Sequence, residues 1–582
     1  MTDLAPSSAV AAFESWADVL EHRAATQPDD VAFRFALEVD RGEENWTYEQ
    51  IVARSRRLAL RLRTLDAVGE RVLLLYPWGV DYIVGLFACF LSGAIAVPLF
   101  APRPNRSWGR LAAVACDSGA TIALTDSSVA ERARIELVDE PSLSQVRWVV
   151  AAGVELDEGE GWTCPDLGPD SLAMLQYTSG STATPKGVRI RHGNLLHNLS
   201  SLEAAGAATP LVEGGGWLPF FHDMGLVGLV FFPVHQGRPV NLIAPEAFLY
   251  RPLRWLQLIS RHRINWSPAP NFAFDLCVRH ASPKKIEGLD LSSWEVAFNG
   301  AERIDPSTLR RFAETFEPCG FRPQTFFPCY GLAESTLFTT GTARTTAPLT
   351  CTFDRPALED GLVVEVDENA SRSVELVACG APRVGQTVEI VDPGTLVPCD
   401  VSVVGEVWTA GDSVADGYWE RPELSREAFG AHLAGRGERR FLRTGDLGFV
   451  HDGELYIAGR IKDLVIIAGR NHYPEDIESA AEGAHEALRP GGAIAFAVEG
   501  ERAERLIVAV EVDRRALRDS GDTAEALEAN LREAVAGEHE VTVSEVVLLR
   551  PNSLPRTTSG KKQRSACRLA FERGELERVE ID

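Results

Sequence analysis

The ten cysteines are scattered from Cys89 to Cys567 with no Cys-x-x-Cys pair among them. That spacing argues against a zinc site or a dense disulfide framework and suits a reducing cytoplasm. Positive charge is also scarce, with 58 Lys and Arg against 83 Asp and Glu and a formal net charge of −25. Such a balance opposes nonspecific attraction to nucleic acid or to an acidic membrane surface, so an acidic partner needs a local basic patch. The N-terminal MTDLAPSSAVAAFESW has no basic start and carries Asp3 and Glu14, so it does not read as a secretory signal. No internal repeat of 20 to 50 residues is present, and no GxxxxGK[ST] phosphate loop.

What remains is an ordinary globular composition, 45% hydrophobic and 24% charged over 582 residues. A single core stops growing well before this length, so several hydrophobic units are expected. The run Tyr82 to Phe100 has no charge and is nearly long enough to span a bilayer. Gly93 and Pro98 divide it into a helix and a buried strand, the signature of an interior βα unit. No transmembrane segment is therefore expected.

VLLLYP, AIAVPLF and TIALTD are apolar runs separated by helical patterns, which predicts parallel sheet covered by helices. Thr47 is the candidate cap of an early helix. Later strand-like segments, NLIAP, NWSPAP, WEVAFNGAE and PQTFFPCYGLAEST, each end in small or polar residues, and ligands of open α/β sheets gather at such ends. Composition shifts near residue 345 to short strands with many acids, which predicts a β-rich unit. From Asp463 strand and helix alternate again over roughly a hundred residues, enough for a small α+β domain.

The stretch Tyr177 to Gly187, YTSGSTATPKG, offers hydroxyl donors, backbone N–H groups and one mobile cation, Lys186. Those are the groups a polyphosphate needs, with Gly180 and Gly187 allowing close approach. The same composition also suits a solvated hairpin turn.

Five motifs in order resemble those of the adenylate-forming enzymes, the acyl-CoA synthetases, luciferases and peptide-synthetase adenylation domains. YTSGSTATPKG is similar to the phosphate loop, YGLAE (Tyr330 to Glu334) to YGxTE, RTGDLG (Arg443 to Gly448) to the ribose motif, GRIKD (Gly459 to Asp463) to the hinge, and TTSGKKQR (Thr557 to Arg564) to the catalytic-lysine loop. LPFFHDMGL, NGAE, FDRPALEDG and GRNHYPEDIE narrow the resemblance to fatty acyl-AMP ligases, with residues of about 349–376 at the position of that branch's insertion. In the branch this insertion is thought to brace the two domains and disfavour coenzyme A. Ala183 and the alanine of YGLAE depart from the superfamily pattern without touching Lys186 or Glu334.

The resemblance implies an α/β fold. A large domain over residues 1–461 would hold two parallel-sheet subdomains and a small β-barrel-like one at about 377–458, followed by a mobile α+β domain over 462–582 that pivots at Lys462. It implies ATP and Mg²⁺ as cofactors, a fatty acid as substrate, and a phosphopantetheinylated acyl carrier protein as partner, with no nucleic acid. Long-chain acyl-CoA ligation is the alternative product. Thr178, Ser179, Gly180, Ser181, Thr182 and Lys186 would hold phosphate; Gly300, Ala301, Glu302, Tyr330 and Gly331 the adenine; Asp446 and Arg460 the ribose. Lys561 would be the decisive cation, since its flexible stem reaches both anions more easily than a planar arginine. Glu334 would bind the metal. His222, Asp223, Met224, Gly225 and Phe272 would wall the acyl pocket, with His222 there for packing because an ionised acid needs no base. Arg564, Arg568 and Arg573 are candidate carrier-docking residues.

Overall fold

The computed structural model describes residues 13–38, 42–102, 107–137, 141–151, 162–178, 185–205, 211–343, 346–383, 385–467, 470–499, 504–557 and 560–579. Two large sheets carry the first half of the chain. One has six strands in the order Arg147–Val150, Ile122–Thr125, Arg71–Leu75, Ile95–Pro98, Leu172–Thr178 and Lys186–Arg191, parallel but for the last pair. The other has nine strands, of which Phe326–Gly331, Val296–Gly300, Trp266–Pro270, Gly214–Gly216, Val240–Ile243 and Val31–Glu38 form a parallel centre between antiparallel edges.

The uncharged run near residue 90 is interior. Its helix, Val80–Ser92, buries every side chain except Asp81 and stops at Gly93, whose φ of +80° turns the chain into the strand Ile95–Pro98. One continuous core joins this helix to Val72 and Leu74 of the six-stranded sheet and to Phe33 and Leu242 of the nine-stranded one. Among the described residues no helix is long and apolar enough to cross a membrane. Thr47 does cap the helix Tyr48–Arg63, in a reciprocal pair with Gln50.

Two elements run against sequence pattern. Gly214–Gly216 is a central strand despite glycine's poor strand preference. A Cβ on each would collide with Trp266, Ile264 or Leu229, so the missing side chains make room for large neighbours. The apolar segment after His222 is a short helix, Asp223–Leu226, a π-helical turn, Val227–Phe231, and a second short helix, Phe232–Gln236. Such π turns are rare and frequently mark functional sites.

A four-stranded antiparallel sheet follows, Thr387–Val391, Gly405–Ala410, Leu442–His451 and Glu454–Arg460. The smaller C-terminal α+β domain has its own core, reaching from Val465 to Leu548 around the strands Leu488–Val498, Arg505–Val512 and Val543–Leu549. The chain thus builds a large α/β domain of parallel sheets and a smaller α+β one.

Between the two lies the segment expected to be an insertion, a hairpin of Thr350–Asp354 and Ser373–Val377 with the helix Arg355–Glu359. Phe353, Leu358 and Leu376 pack with Leu447, Phe449 and Tyr456 of the antiparallel sheet and with Tyr473 of the small domain. Glu359 is buried among small-domain groups, with His472 Nδ1 3.1 Å from Oε1 and Arg470 Nη2 2.9 Å from Oε2. His539 Nδ1 is 3.9 Å from the same Oε1. Arg355 faces the other nitrogen of His539 at 3.3 Å, so this cluster is balanced by its own arginines and needs no bound cation.

Candidate active site

The carboxyl ends of the central strands open on a cavity of about 590 Å³. Strands Val296–Gly300 and Phe326–Gly331 bring Gly300, Ala301, Tyr330 and Gly331 to one wall, and the 3₁₀ turn Ala333–Ser335 adds Glu334. Thr178 and Lys186 stand opposite, at the ends of the antiparallel pair that the phosphate-loop segment joins. Ser179, Gly180, Ser181, Thr182 and Ala183 lie outside the described residues. Arg460 and Lys462 come from the end of the antiparallel sheet, and Lys561 from the small domain. Met224, Phe232, Trp266, Pro268, Phe298 and Phe338 line the apolar part.

The sequence neighbours of Lys561 also line the cavity, but Lys562 and Arg564 are ion-paired within the small domain. Lys562 Nζ lies 2.9 Å from Glu478 and 3.1 Å from Glu482, and Arg564 is held by Glu478, Glu475 and Asp463. Arg564 is therefore not a docking residue as expected, because an internal ion cluster consumes its guanidinium; Arg568 is paired with Glu572 on its own helix. Lys561 makes no ion pair among the described residues and faces the cavity. Burial pulls its ammonium below the usual lysine range, with Arg460 adding to the pull, while Asp223 and Glu302 oppose it. Its loop is braced by Thr557, whose hydroxyl accepts from the Lys561 N–H at 3.0 Å.

Asp446 is buried and doubly engaged: the Tyr330 hydroxyl donates to Oδ2 at 2.7 Å, and Arg460 Nε lies 2.7 Å from Oδ1. Burial and the neighbouring carboxylate push the Tyr330 phenol well above its ordinary range, so it stays a donor. Asp446 in turn raises the Arg460 guanidinium. Tyr330, expected at the adenine, lines the cavity, and its hydroxyl ties the strand Phe326–Gly331 to Asp446.

Tyr418, which sequence reasoning did not single out, donates to Glu334 Oε1 at 2.9 Å. Lys186 Nζ lies 5.3 Å from the centre of the same ring. Nothing in DGYWERP marks the tyrosine except an aromatic in a polar loop.

His222 and Met224 line the cavity; Asp223 does too, with its Oδ1 2.6 Å from His222 Nδ1. Burial works to raise the Asp223 carboxyl, but His222, their hydrogen bond and Lys561 together bring it well below the carboxylate range. Four expected residues do not line the cavity: Asp446, which stands behind Tyr330 and Arg460, and three others. Glu302 does not line the cavity; its Oε1 accepts from Phe272 N at 2.6 Å at the start of the helix Asn271–His280, and burial raises its carboxyl. Phe272 lies against the turn at Gly560, φ +90°, where an added Cβ would come 3.1 Å from the ring, so it props the lysine loop. Gly225 packs on the Pro219 backbone, where a Cβ would overlap the carbonyl. Cys329 reaches the cavity, but burial pushes its thiol far up, which suits packing and not nucleophilic attack.

The lining can neutralise several negative charges and also offers apolar side chains to a hydrocarbon. Residues 20–419 match the family described as AMP-binding enzyme, and residues 462–580 the AMP domain of Disco-interacting protein 2-like chains. JamA of Moorena producens, a medium-chain-fatty-acid–[acyl-carrier-protein] ligase, is 41% identical over 98% of this chain and 97% of its own. A putative fatty-acid–CoA ligase of Mycobacterium tuberculosis is 38% identical over 94% and 96%. The crystal structure of a fatty acyl-adenylate ligase from Legionella pneumophila, in complex with acyl adenylate and pyrophosphate, superposes with a TM-score of 0.76 at 35% identity, covering 99% of this chain and 98% of that one. With the family profile spanning most of the chain and its motif residues meeting in one cavity, the protein belongs to the AMP-binding enzymes, as an ATP-dependent acyl-adenylate-forming ligase.

Proposed function

We propose that the protein joins a fatty acid to AMP and then hands the acyl group to the phosphopantetheine thiol of an acyl carrier protein. The observation that carries this reading is a single cavity whose lining combines Lys186, Arg460, Lys462 and Lys561 with Phe232, Trp266 and Phe298. In the first step a carboxylate oxygen bonds to the α-phosphorus while the bond to the bridging oxygen breaks, and its electrons leave with pyrophosphate. Lys561 would neutralise both anions where charge gathers. Asp446, already oriented by Tyr330 and Arg460, has lone pairs left for ribose hydroxyls.

Glu334 suits Mg²⁺: it lines the cavity, and among the described residues only its Oε1 has a protein donor, Tyr418. Bound there with phosphate oxygens, the ion would supply charge neutralisation at the departing pyrophosphate. In the second step the thiol sulfur attacks the acyl carbonyl and AMP leaves. We take the large domain as residues 1–461 and Lys462 as the pivot about which residues 462–582 turn between steps. All ten cysteines are free, which supports a cytoplasmic setting.

A second reading, transfer to coenzyme A, is favoured by the likeness to the Mycobacterium fatty-acid–CoA ligase. Product mass decides between them. Incubation with ATP, a fatty acid series and both acceptors is expected to place the acyl group on the phosphopantetheinylated carrier, and acyl-CoA as the main product would reverse the assignment.

A further inference from the structure

Two residues beyond Glu334 the backbone does something unusual. Thr336 has φ +66° and ψ −59°, and the Leu337 N–H donates to the Ser335 carbonyl at 2.7 Å. This is the rare positive-φ form of the γ-turn, strained for any L residue and most of all for a β-branched one. Glycine would adopt it at far lower cost, yet a fully buried threonine stands there. Such strain persists only where surroundings over-determine it.

Those surroundings are on both sides of the turn. The Thr336 hydroxyl donates to the Ser413 carbonyl at 2.7 Å. Ala415 N donates to the Glu334 carbonyl at 2.9 Å. Asn198 donates to the carbonyls of Ser335 and Phe338 and accepts from Phe338 N at 3.1 Å. The turn also folds Leu337 back onto Gly331, where any Cβ would overlap the Leu337 carbonyl. Residues 413–415 lead directly to Tyr418, which donates to Glu334 Oε1. The 3₁₀ turn that carries Glu334 and the segment that carries its hydroxyl partner are therefore stitched together by the Thr336 side chain, at the strained turn itself.

We propose that Thr336 is a positioning residue for metal binding by Glu334: its hydroxyl holds the strained turn closed and so fixes the direction from which the carboxylate meets Mg²⁺. This rests on the reading of Glu334 as the metal ligand. Groups that orient a ligand commonly matter by 10- to 100-fold in metal affinity, of the order of one lost buried hydrogen bond or two.

The test reads the Mg²⁺ concentration that half-saturates pyrophosphate–ATP exchange, with fatty-acid KM and melting temperature measured alongside. Thr336→Val keeps the branched shape and removes the hydroxyl; it is expected to raise the Mg²⁺ half-saturation about tenfold and to leave the fatty-acid KM within about twofold. Thr336→Ser keeps the hydroxyl and should restore the Mg²⁺ response to within about twofold, and Thr336→Gly, which relieves the strain and should fold, is expected to behave like the valine variant. Glu334→Gln separates the two readings. If it raises the Mg²⁺ requirement while Thr336→Val and Thr336→Gly do not, the positioning role is overturned and the ligand stands. If Glu334→Gln leaves the requirement unchanged, the ligand assignment fails, and the positioning role with it.

Discussion

Tyr418 and Glu334 meet through a phenol-to-carboxylate hydrogen bond of 2.9 Å, and the opposite side of the relationship is Lys186, 5.3 Å from the centre of the same ring. One aromatic thus touches both the candidate metal ligand and the candidate phosphate-binding cation. Burial, with Glu334 beside it, lifts the Tyr418 phenol far above its ordinary range, so it remains protonated at any working pH.

Removing the two contacts separately should give graded losses. Tyr418→Phe keeps the ring beside Lys186 and loses only the hydrogen bond, so kcat/KM for ATP should fall about three- to tenfold. Tyr418→Ala loses both and should fall further, with KM for ATP rising. Initial rates across an ATP series measure this; an alanine variant as fast as the parent would show that the contact has no part in nucleotide handling.

Lys561 and Lys562 are adjacent, yet the structure gives them different surroundings. Both line the cavity, but Lys562 is tied to Glu478 and Glu482 within the small domain, whereas Lys561 makes no ion pair among the described residues. Lys561→Ala should lower adenylation at least about 100-fold, a typical loss for a group that meets charge developing in the transition state. It should spare transfer from synthetic acyl-adenylate. Lys562→Ala should do the reverse in kind, lowering the melting temperature more than the rate. Equal losses in both half-reactions for Lys561→Ala would remove it from the adenylation step.

The contrast between these two lysines also marks what could be read from the chain alone. Lys186, Glu334, Tyr330, Arg460 and Lys561 lie in recognisable motifs; parallel-sheet topology brings Tyr330 and Glu334 to the carboxyl edge, while Arg460 and Lys561 arrive from the antiparallel sheet and the small domain. Residues whose work depends on a partner far along the chain were opaque. Glu302 lies in the NGAE motif but closes the helix at Phe272, and Phe272 supports Gly560 across the domain boundary. Gly214–Gly216 is a strand only because Trp266, Ile264 and Leu229 occupy the places of its side chains. The γ-turn at Thr336 has no glycine to announce it.

His192 and His235 should make the fold acid-sensitive. Burial lowers each imidazole to about 4, and His192 Nδ1 accepts from the Trp16 N–H at 3.2 Å, a bond only the unprotonated ring makes. Folded-state values below the unfolded one mean that the stability is complete above about pH 6.5 and is lost as pH falls toward 4. Each can withdraw roughly 3 kcal/mol over that window at most. Urea unfolding at pH 8, 6 and 5 should show a falling midpoint, flattened in His192→Gln. A midpoint constant from pH 8 to 5 would contradict the assignment, since most carboxylates titrate below that range.

Glu359 should govern how firmly the small domain is held in the arrangement that presents Lys561. It projects from the insertion into a pocket formed by His472, Arg470 and His539, and Arg372 pairs with Glu540 beside it at 2.7 Å. A second tie, Arg303 to Asp476 at 2.7 Å, joins the domains nearer the cavity. Burial alone would raise the Glu359 carboxyl, but its hydrogen bonds to His472 and His539 and the charge of Arg470 hold it at about 2. Because that value lies below the unfolded one, the tie is whole above about pH 4.5 and weakens only as pH falls toward 2. At neutral pH the small domain cannot turn away without rehydrating these charges or leaving them unpaired. Glu359→Gln keeps the shape, removes the charge, and should loosen the arrangement: pyrophosphate–ATP exchange should fall about three- to tenfold, as expected for losing a charged hydrogen-bonded contact. Transfer of a preformed acyl-adenylate to the carrier should be unchanged or faster. Distances between spin labels on the insertion and on the helix Ala524–His539 should broaden in the variant. Unaltered rates in both half-reactions, with an unaltered distance distribution, would mean that the cluster only fills space.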